Sequence, residues 1–280
     1  MSWQDVLVRK VEKVFIIMTN FENISFQIKG QIGFLTIERE AQLNALNGVV
    51  LDELKTCLKI IFEKPLLGLV FSGAGEKAFI AGADIKEMTT MSEAEAKAFG
   101  KKGQEVTMLF EQLPFPVVAC VSGYALGGGC EMAMSADWIY GTRAAVFGQP
   151  EVKLGLIPGF GGTQRLTRIV GRNRAREIIL TARNIKIDEA FEIGLVQKIF
   201  ETKDEMIEAA TKTLSRLKNN SPNAIAVAKK VILAGENQDI ENALEGELNG
   251  FSKIFSSREM QEGTQAFMEK RSPVFNRGED

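Results

Sequence analysis

From residue 26 onward the apolar positions of this chain switch between two spacings. Residues 32–37 are a short, largely apolar run that predicts a strand. In 49–62 the apolar residues Val50, Leu51, Leu54, Leu58 and Ile61 recur every three or four positions, which predicts a helix burying one face. Pro65 ends that helix, and 67–71 predict a second, buried strand. Ser92 then caps a charged helix reaching about Gln112, Pro114 and Pro116 break it, and 117–121 predict a third strand. Residues 130–137 read as helical, with short strands near 138–140 and around 146–147. Such alternation predicts an α/β arrangement with parallel strands.

The pattern changes after Asn219. Residues 222–233, 240–255 and 260–270 read as three helices with no strand between them. Ile240, Ala243, Leu244, Leu248 and Phe251 form a stripe for either a compact core or a neighbouring subunit to cover. A soft boundary near 215 divides a catalytic core, 18–215, from a helical region, 216–280. Residues 1–17 stand as an extension before the pattern begins. The apolar run 14–18 is too short for a signal-peptide core, and Asp5 and Glu12 are foreign to a transit peptide. Met18 is a candidate start, with a short surface helix as the alternative. No address label stands out, so the cytoplasm is the default location. No internal sequence repeat stands out either.

Composition narrows the chemistry. A chain of 280 residues accommodates one large domain with an appendage. A net charge of −2 gives no electrostatic reason to expect nucleic acid or an anionic membrane as partner. No apolar run approaches the about 20 residues that span a bilayer. There is no histidine, which rules out Ser-His-Asp and Cys-His catalysis and every histidine-ligated metal. Acid–base work falls to Glu, Asp, Lys, Tyr or Cys. Cys57, Cys120 and Cys130 are odd in number, lack a CxxC spacing and read as reduced thiols.

The segment Gly123-Tyr124-Ala125-Leu126-Gly127-Gly128-Gly129-Cys130-Glu131 is the strongest chemical signal. Unshielded amides at a helix start attract negative charge. A carboxylate beside them, with Glu151 of Gln149-Pro150-Glu151 as a second, is the equipment of an enzyme that stabilises an enolate. The segment is neither a dinucleotide fingerprint nor a Walker A loop. Residues 78–85 are small and let a ligand approach the backbone, although packing alone explains such a composition. The glycine-rich loop 157–165 is open to two readings, a phosphate cradle or a tight connection.

Together, Ala81-Gly82-Ala83-Asp84-Ile85, 123–131, Phe147-Gly148-Gln149-Pro150-Glu151 and 157–166 resemble the crotonase, or enoyl-CoA hydratase/isomerase, superfamily. Leu43-Asn44-Ala45-Leu46-Asn47 and Phe267-Met268-Glu269-Lys270-Arg271 match as well, in the expected order from about 26 to 271. The resemblance implies an α/β spiral of ββα turns with C-terminal helices that build trimers, often paired into hexamers. It implies acyl-CoA thioester substrates and no metal or redox cofactor, coenzyme A being part of the substrate. The N–H groups of Ala83 and Gly128 would form the oxyanion hole, Glu131 and Glu151 the catalytic pair that hydrates a trans-2-enoyl-CoA, and the Gly159 N–H would place the water. Asp84, Ile85 and Lys86 would line the acyl and pantetheine path, the Ala81 carbonyl would meet the adenine, and Lys270 the phosphates. The resemblance also admits a double-bond isomerase, or a non-catalytic CoA- or RNA-binding member.

Two departures stand out. Arg39-Glu40-Ala41-Gln42 replaces Arg-Pro and a basic residue, which weakens a phosphate contact there. Phe160 stands where a small residue is common. Its ring either narrows the acyl channel or turns into the core.

Overall fold

A computed structural model describes residues 14–15 and 21–275. The Met18 start and most of the 1–17 extension fall outside the described residues. Strand β1 (Val14–Phe15) runs antiparallel to β2 (Ile24–Lys29), which pairs antiparallel with β3 (Ile32–Ile37). After helix α1 (Gly48–Phe62), the chain lays down strands two at a time. Strands β4 (Gly68–Gly73) and β5 (Ala78–Ile80) precede the short α2 (Ile85–Met88) and the long α3 (Glu93–Gln112). Strands β6 (Val117–Val121) and β7 (Tyr124–Leu126) precede α4 (Gly128–Met134). Strands β8 (Trp138–Thr142) and β9 (Val146–Gly148) precede α5 (Gly162–Val170) and α6 (Arg172–Thr181). Strand β10 (Asn184–Lys186), α7 (Ile187–Glu192), β11 (Lys198–Phe200) and α8 (Lys203–Ser215) complete this part.

The first strand of each pair joins a seven-stranded sheet, β1-β2-β3-β4-β6-β8-β11, and the second joins a four-stranded sheet, β10-β9-β7-β5. Within them β4, β6 and β8 are parallel, as are β5, β7 and β9. The result is the α/β spiral of ββα turns, a structural repeat without a repeated sequence. Strands β4 and β6 are buried at every position, as parallel strands covered on both faces must be. One face presents Val70, Val118, Cys120 and Tyr140 to Met206, Ala210 and Leu214 of α8. The other presents Leu69, Phe71, Val117 and Ala119 to the main core, which includes Leu54, Leu58, Phe79 and Phe110.

Local signals explain the element ends. The Asn47 side chain accepts from the Val50 N–H and starts α1, and Ser92 and Glu95 form a reciprocal capping box at the head of α3. The helix expected over 130–137 begins and ends earlier, at Gly128 and Met134, because the turn into it is made by Gly127 alone. Two of the three glycines are therefore helical.

The three C-terminal helices are α9 (Pro222–Gly235), α10 (Ile240–Ile254) and α11 (Arg258–Met268). The apolar stripe on α10 is not absorbed by this chain's core: Ile240, Leu244, Leu248 and Phe251 are all exposed. Helix α9 is tied to the core by the Lys229 ammonium, which donates to Asp137 Oδ2 at 2.7 Å and to the Phe115 carbonyl at 3.1 Å. Asp137 Oδ2 also accepts the Val117 N–H at 2.7 Å. Among the described residues no helix is long and apolar enough to cross a membrane.

Lys229→Met deprives the partly buried Asp137 carboxylate of its cation. We expect a loss of about 2 kcal/mol in chemical denaturation, the size of a hydrogen bond to a charged group. An unchanged midpoint and slope would show that the tie contributes nothing.

Candidate active site

The three parallel strands of the small sheet end on one side, and each delivers one part of the site. Strand β5 leads to Ala83, β7 to Gly128 and β9 to Glu151. Clefts outside the carboxyl ends of parallel strands are where α/β folds bind ligands.

The glycines after β7 have distinct tasks. Gly127 turns the chain at φ +50°, a conformation that suits glycine, and a Cβ there would stand 2.8 Å from Glu151 Oε1. A Cβ on Gly129 would collide with the Ile80 carbonyl, so α4 lies backbone to backbone against the end of β5. Between them, Gly128 occupies the first helical position, and its N–H has no acceptor among the described residues. Ala83 is held by Leu46: the Leu46 N–H donates to Gly82 O at 2.9 Å, and the Asp84 N–H donates to Leu46 O at 2.7 Å. The Ala83 N–H, facing the other way, likewise has no acceptor among the described residues.

Glu131 lies in α4, only 1% exposed. Its Oε1 accepts the Phe160 N–H at 2.8 Å and the Gly162 N–H at 2.6 Å. Burial pushes its carboxyl above the usual range, opposed by those two amides and by the Arg165 charge. Glu151 opens a 3₁₀ turn, Glu151–Leu154, directly after β9. Its carboxyl is pushed up to about 7, first by burial and then by the charge of Glu131, with its own backbone amide opposing. The fully buried Gln149, with its amide nitrogen turned toward Glu151, donates to Oε1 at 3.0 Å and to Oε2 at 3.3 Å. The two carboxyls are thus neighbours in unlike surroundings.

Gly159 is exposed, and its carbonyl accepts from Gln104 Nε2 at 3.0 Å. Phe160 is 4% exposed, its ring packed 5.4 Å from that of Phe99. Of the two orientations open to the ring, the structure shows the one turned into the core. Asp84 pairs with Arg39 at 3.4 Å, and Arg39 also donates to the Ala45 carbonyl, so that arginine is spent on the Ala83 segment. Ile85 and Lys86 are exposed on α2, and the Ala81 N–H is tied to Leu43 O at 3.0 Å. Lys270 lies just past α11, exposed, and no contact in the described chain joins it to the other site residues. Gln149 and Arg165 are the contacts that the sequence did not single out. Gln149 sits two positions before Glu151, so spacing offered a signal for it, whereas nothing local points to Arg165.

The sequence profile of the family described as enoyl-CoA hydratase/isomerase matches residues 27–278, and the chain belongs to that family. A short-chain-enoyl-CoA hydratase of Clostridium acetobutylicum is 44% identical over 250 residues, covering 89% of this chain and 95% of the relative. A crotonyl-CoA hydratase of Syntrophomonas wolfei is 41% identical over 256 residues, covering 91% and 98%. Among solved structures, an enoyl-CoA hydratase from Bacillus anthracis matches with a TM-score of 0.86 at 36% identity, covering 91% of this chain and 99% of that one.

The geometry sets the direction of one titration. Glu131→Gln removes the neighbouring charge, so the Glu151 carboxyl, followed by carbon-detected NMR, should titrate below about 7 yet stay above an ordinary glutamate because burial remains. An unmoved Glu151 titration would mean that the two carboxyls do not interact.

Proposed function

We propose that the protein is an enoyl-CoA hydratase, adding water reversibly and syn across a trans-2-enoyl-CoA to give a 3-hydroxyacyl-CoA. The observation that carries this reading is the placement of two carboxyls in unlike surroundings beside two main-chain amides that have no acceptor of their own. The hydratases named above, alike over most of their length, support it.

In this scheme the thioester oxygen sits between the Ala83 and Gly128 N–H groups. Charge grows on that oxygen as water adds to C3, and preorganised donors stabilise it there; losing one such donor typically costs about 10²–10³ in rate. The N-terminal end of α4 adds its dipole to the Gly128 hydrogen bond. Glu131, held by two amides and facing Arg165, takes the proton from water in this scheme. Glu151, raised to about 7, carries the proton delivered to C2. The Gly159 N–H helps to place the water. Asp84, Ile85 and Lys86 line the acyl and pantetheine path, the Ala81 carbonyl receives the adenine amino group, and Lys270 reaches the phosphates from a neighbouring subunit. The scheme needs no metal or redox cofactor, because the thioester and the two main-chain amides do the activation, and coenzyme A enters as part of the substrate.

The proposal includes a homotrimer, alone or paired into a hexamer. The exposed face of α10, with Leu248 at 65% and Phe251 at 63%, is the surface it would bury. It also includes a cytoplasmic location, to which three buried, unpaired thiols are suited.

Purified protein should consume crotonyl-CoA, seen as loss of ultraviolet absorbance. Glu131→Gln and Glu151→Gln should each lower kcat by at least about 10²-fold, the share of general acid–base catalysis. In the parent, kcat/KM should fall as pH rises through about 7 and Glu151 loses its proton. No loss with crotonyl-CoA or longer enoyl-CoA thioesters, in protein that binds coenzyme A, would overturn the reading. Exchange at C2 and C4 faster than hydration would favour an isomerase, and tight, salt-sensitive RNA binding without turnover a binding protein.

Light scattering tests the assembly. The parent should have the mass of three or six chains and Phe251→Glu a smaller mass, whereas a parent monomer would defeat the trimer.

A further inference from the structure

One stripe of α3 grips the loop that holds Glu131. Gln104, Thr107 and Glu111 are spaced three and four apart, so they share a face of the helix. Gln104 Nε2 donates to Gly159 O at 3.0 Å. The buried Thr107 hydroxyl is shared between Gln104 O at 2.9 Å and Phe160 O at 3.2 Å. Glu111 takes a two-pronged bond from Arg165, Nε at 2.5 Å and Nη2 at 2.9 Å, and the remaining Arg165 prong, Nη1, donates to Phe160 O at 3.0 Å. The side chains of this pair are 15% and 23% exposed. On the same helix Gly103 leaves room for the Phe160 ring, which a Cβ there would overlap. The Phe160 peptide is thus held from both ends: its carbonyl by Thr107 and Arg165, its N–H by Glu131.

We propose that Gln104, Thr107 and Glu111, with Arg165, are positioning residues that fix loop 159–162 and, through its amides, the orientation and charge state of Glu131. The inference rests on the hydratase reading and goes beyond it by naming what holds the catalytic carboxylate in place. The ionisable groups facing Glu131 are Arg165 from α5, Glu151 from the 3₁₀ turn and the Cys130 thiol of its own helix. Glu111 on α3 acts through Arg165. Arg165 favours the Glu131 carboxylate, so removing that cation raises the pH at which Glu131 ionises and moves the acid limb of the activity profile upward.

The test measures kcat, KM and the pH profile of crotonyl-CoA hydration for Arg165→Met, Arg165→Lys, Glu111→Gln and Thr107→Val. Lys102→Met, which breaks a different ion pair of α3, with Asp52, is the control. We expect Arg165→Met to lower kcat by about 10²-fold, as small misplacements of reacting groups do, with KM within about twofold. Its acid limb should move to higher pH. Arg165→Lys keeps the charge but not the fork, so it should leave the limb in place and recover only part of kcat. Glu111→Gln and Thr107→Val should lower kcat by smaller factors, and these milder changes carry the test if Arg165→Met does not fold. Variants with parental kcat and an unmoved limb, or losses matched by Lys102→Met, would overturn the proposal. Failure of the hydratase reading looks different: no hydration by the parent, or full activity in Glu131→Gln.

Discussion

A carboxylate taken out of water must be solvated by the protein, and much of this molecule is arranged around doing so for Glu131. An unpaired buried charge costs several kcal/mol, while a hydrogen bond to a charged group returns about 1.5–3 kcal/mol. The Phe160 and Gly162 amides supply two such bonds to one oxygen. Peptide donors of that kind are available only where the chain is not using them in a helix or sheet. The site therefore needs an irregular loop at the start of α5, and an irregular loop needs anchoring. The anchors come from α3 and from Arg165, so a long helix that carries neither carboxylate becomes part of the support of the candidate site.

The spiral topology brings the remaining groups within reach. Each ββα turn sends one strand to each sheet, and the parallel strands of the small sheet stop side by side. One strand end supplies an amide from Ala83, the next an amide from Gly128, the third a carboxylate from Glu151. These groups lie far apart in sequence, yet their alignment follows from strand register. The close approach of Gly129 to Ile80 ties α4 to β5, and with it the two amides to a common frame. Rigid elements of this kind hold donors in place without reorganisation during the reaction, the condition under which electrostatic stabilisation is most effective.

Much of this was legible in the chain, for physical reasons that differ from element to element. The head of α3 was plain because Ser92 and Glu95 form a local capping box, and β6 because five apolar residues lie between breakers. The start of α4 was misplaced by two residues, since glycine is a poor helix former and only the packing against Ile80 makes it useful there. Strands β5 and β7, three residues each, have no period long enough to detect. The carboxylates and the glycine motif were visible together as a family pattern. The Glu111–Arg165 fork and the fit of Phe160 over Gly103 were not, because they join distant segments and leave no local trace. The direction of the Phe160 ring was open for the same reason.

Two glutamates begin with the same chemistry, and a hydration scheme that uses both requires that they differ. The difference is a matter of placement. Glu131 sits within a helix in the core, where loop 159–162 aims amides at it and Arg165 adds positive charge. Glu151 sits in a short turn at a strand end, partly open, with its own amide and the Gln149 side chain as partners and a negative neighbour opposite. Burial raises both, and what opposes it differs: loop amides and Arg165 at Glu131, its own amide at Glu151. What opposes burial at Glu131 is set in part by what holds loop 159–162, not by the residue at either position alone. In the proposed scheme the division of labour between acid and base would then be a property of the scaffold, and the residues that maintain it need not touch the substrate.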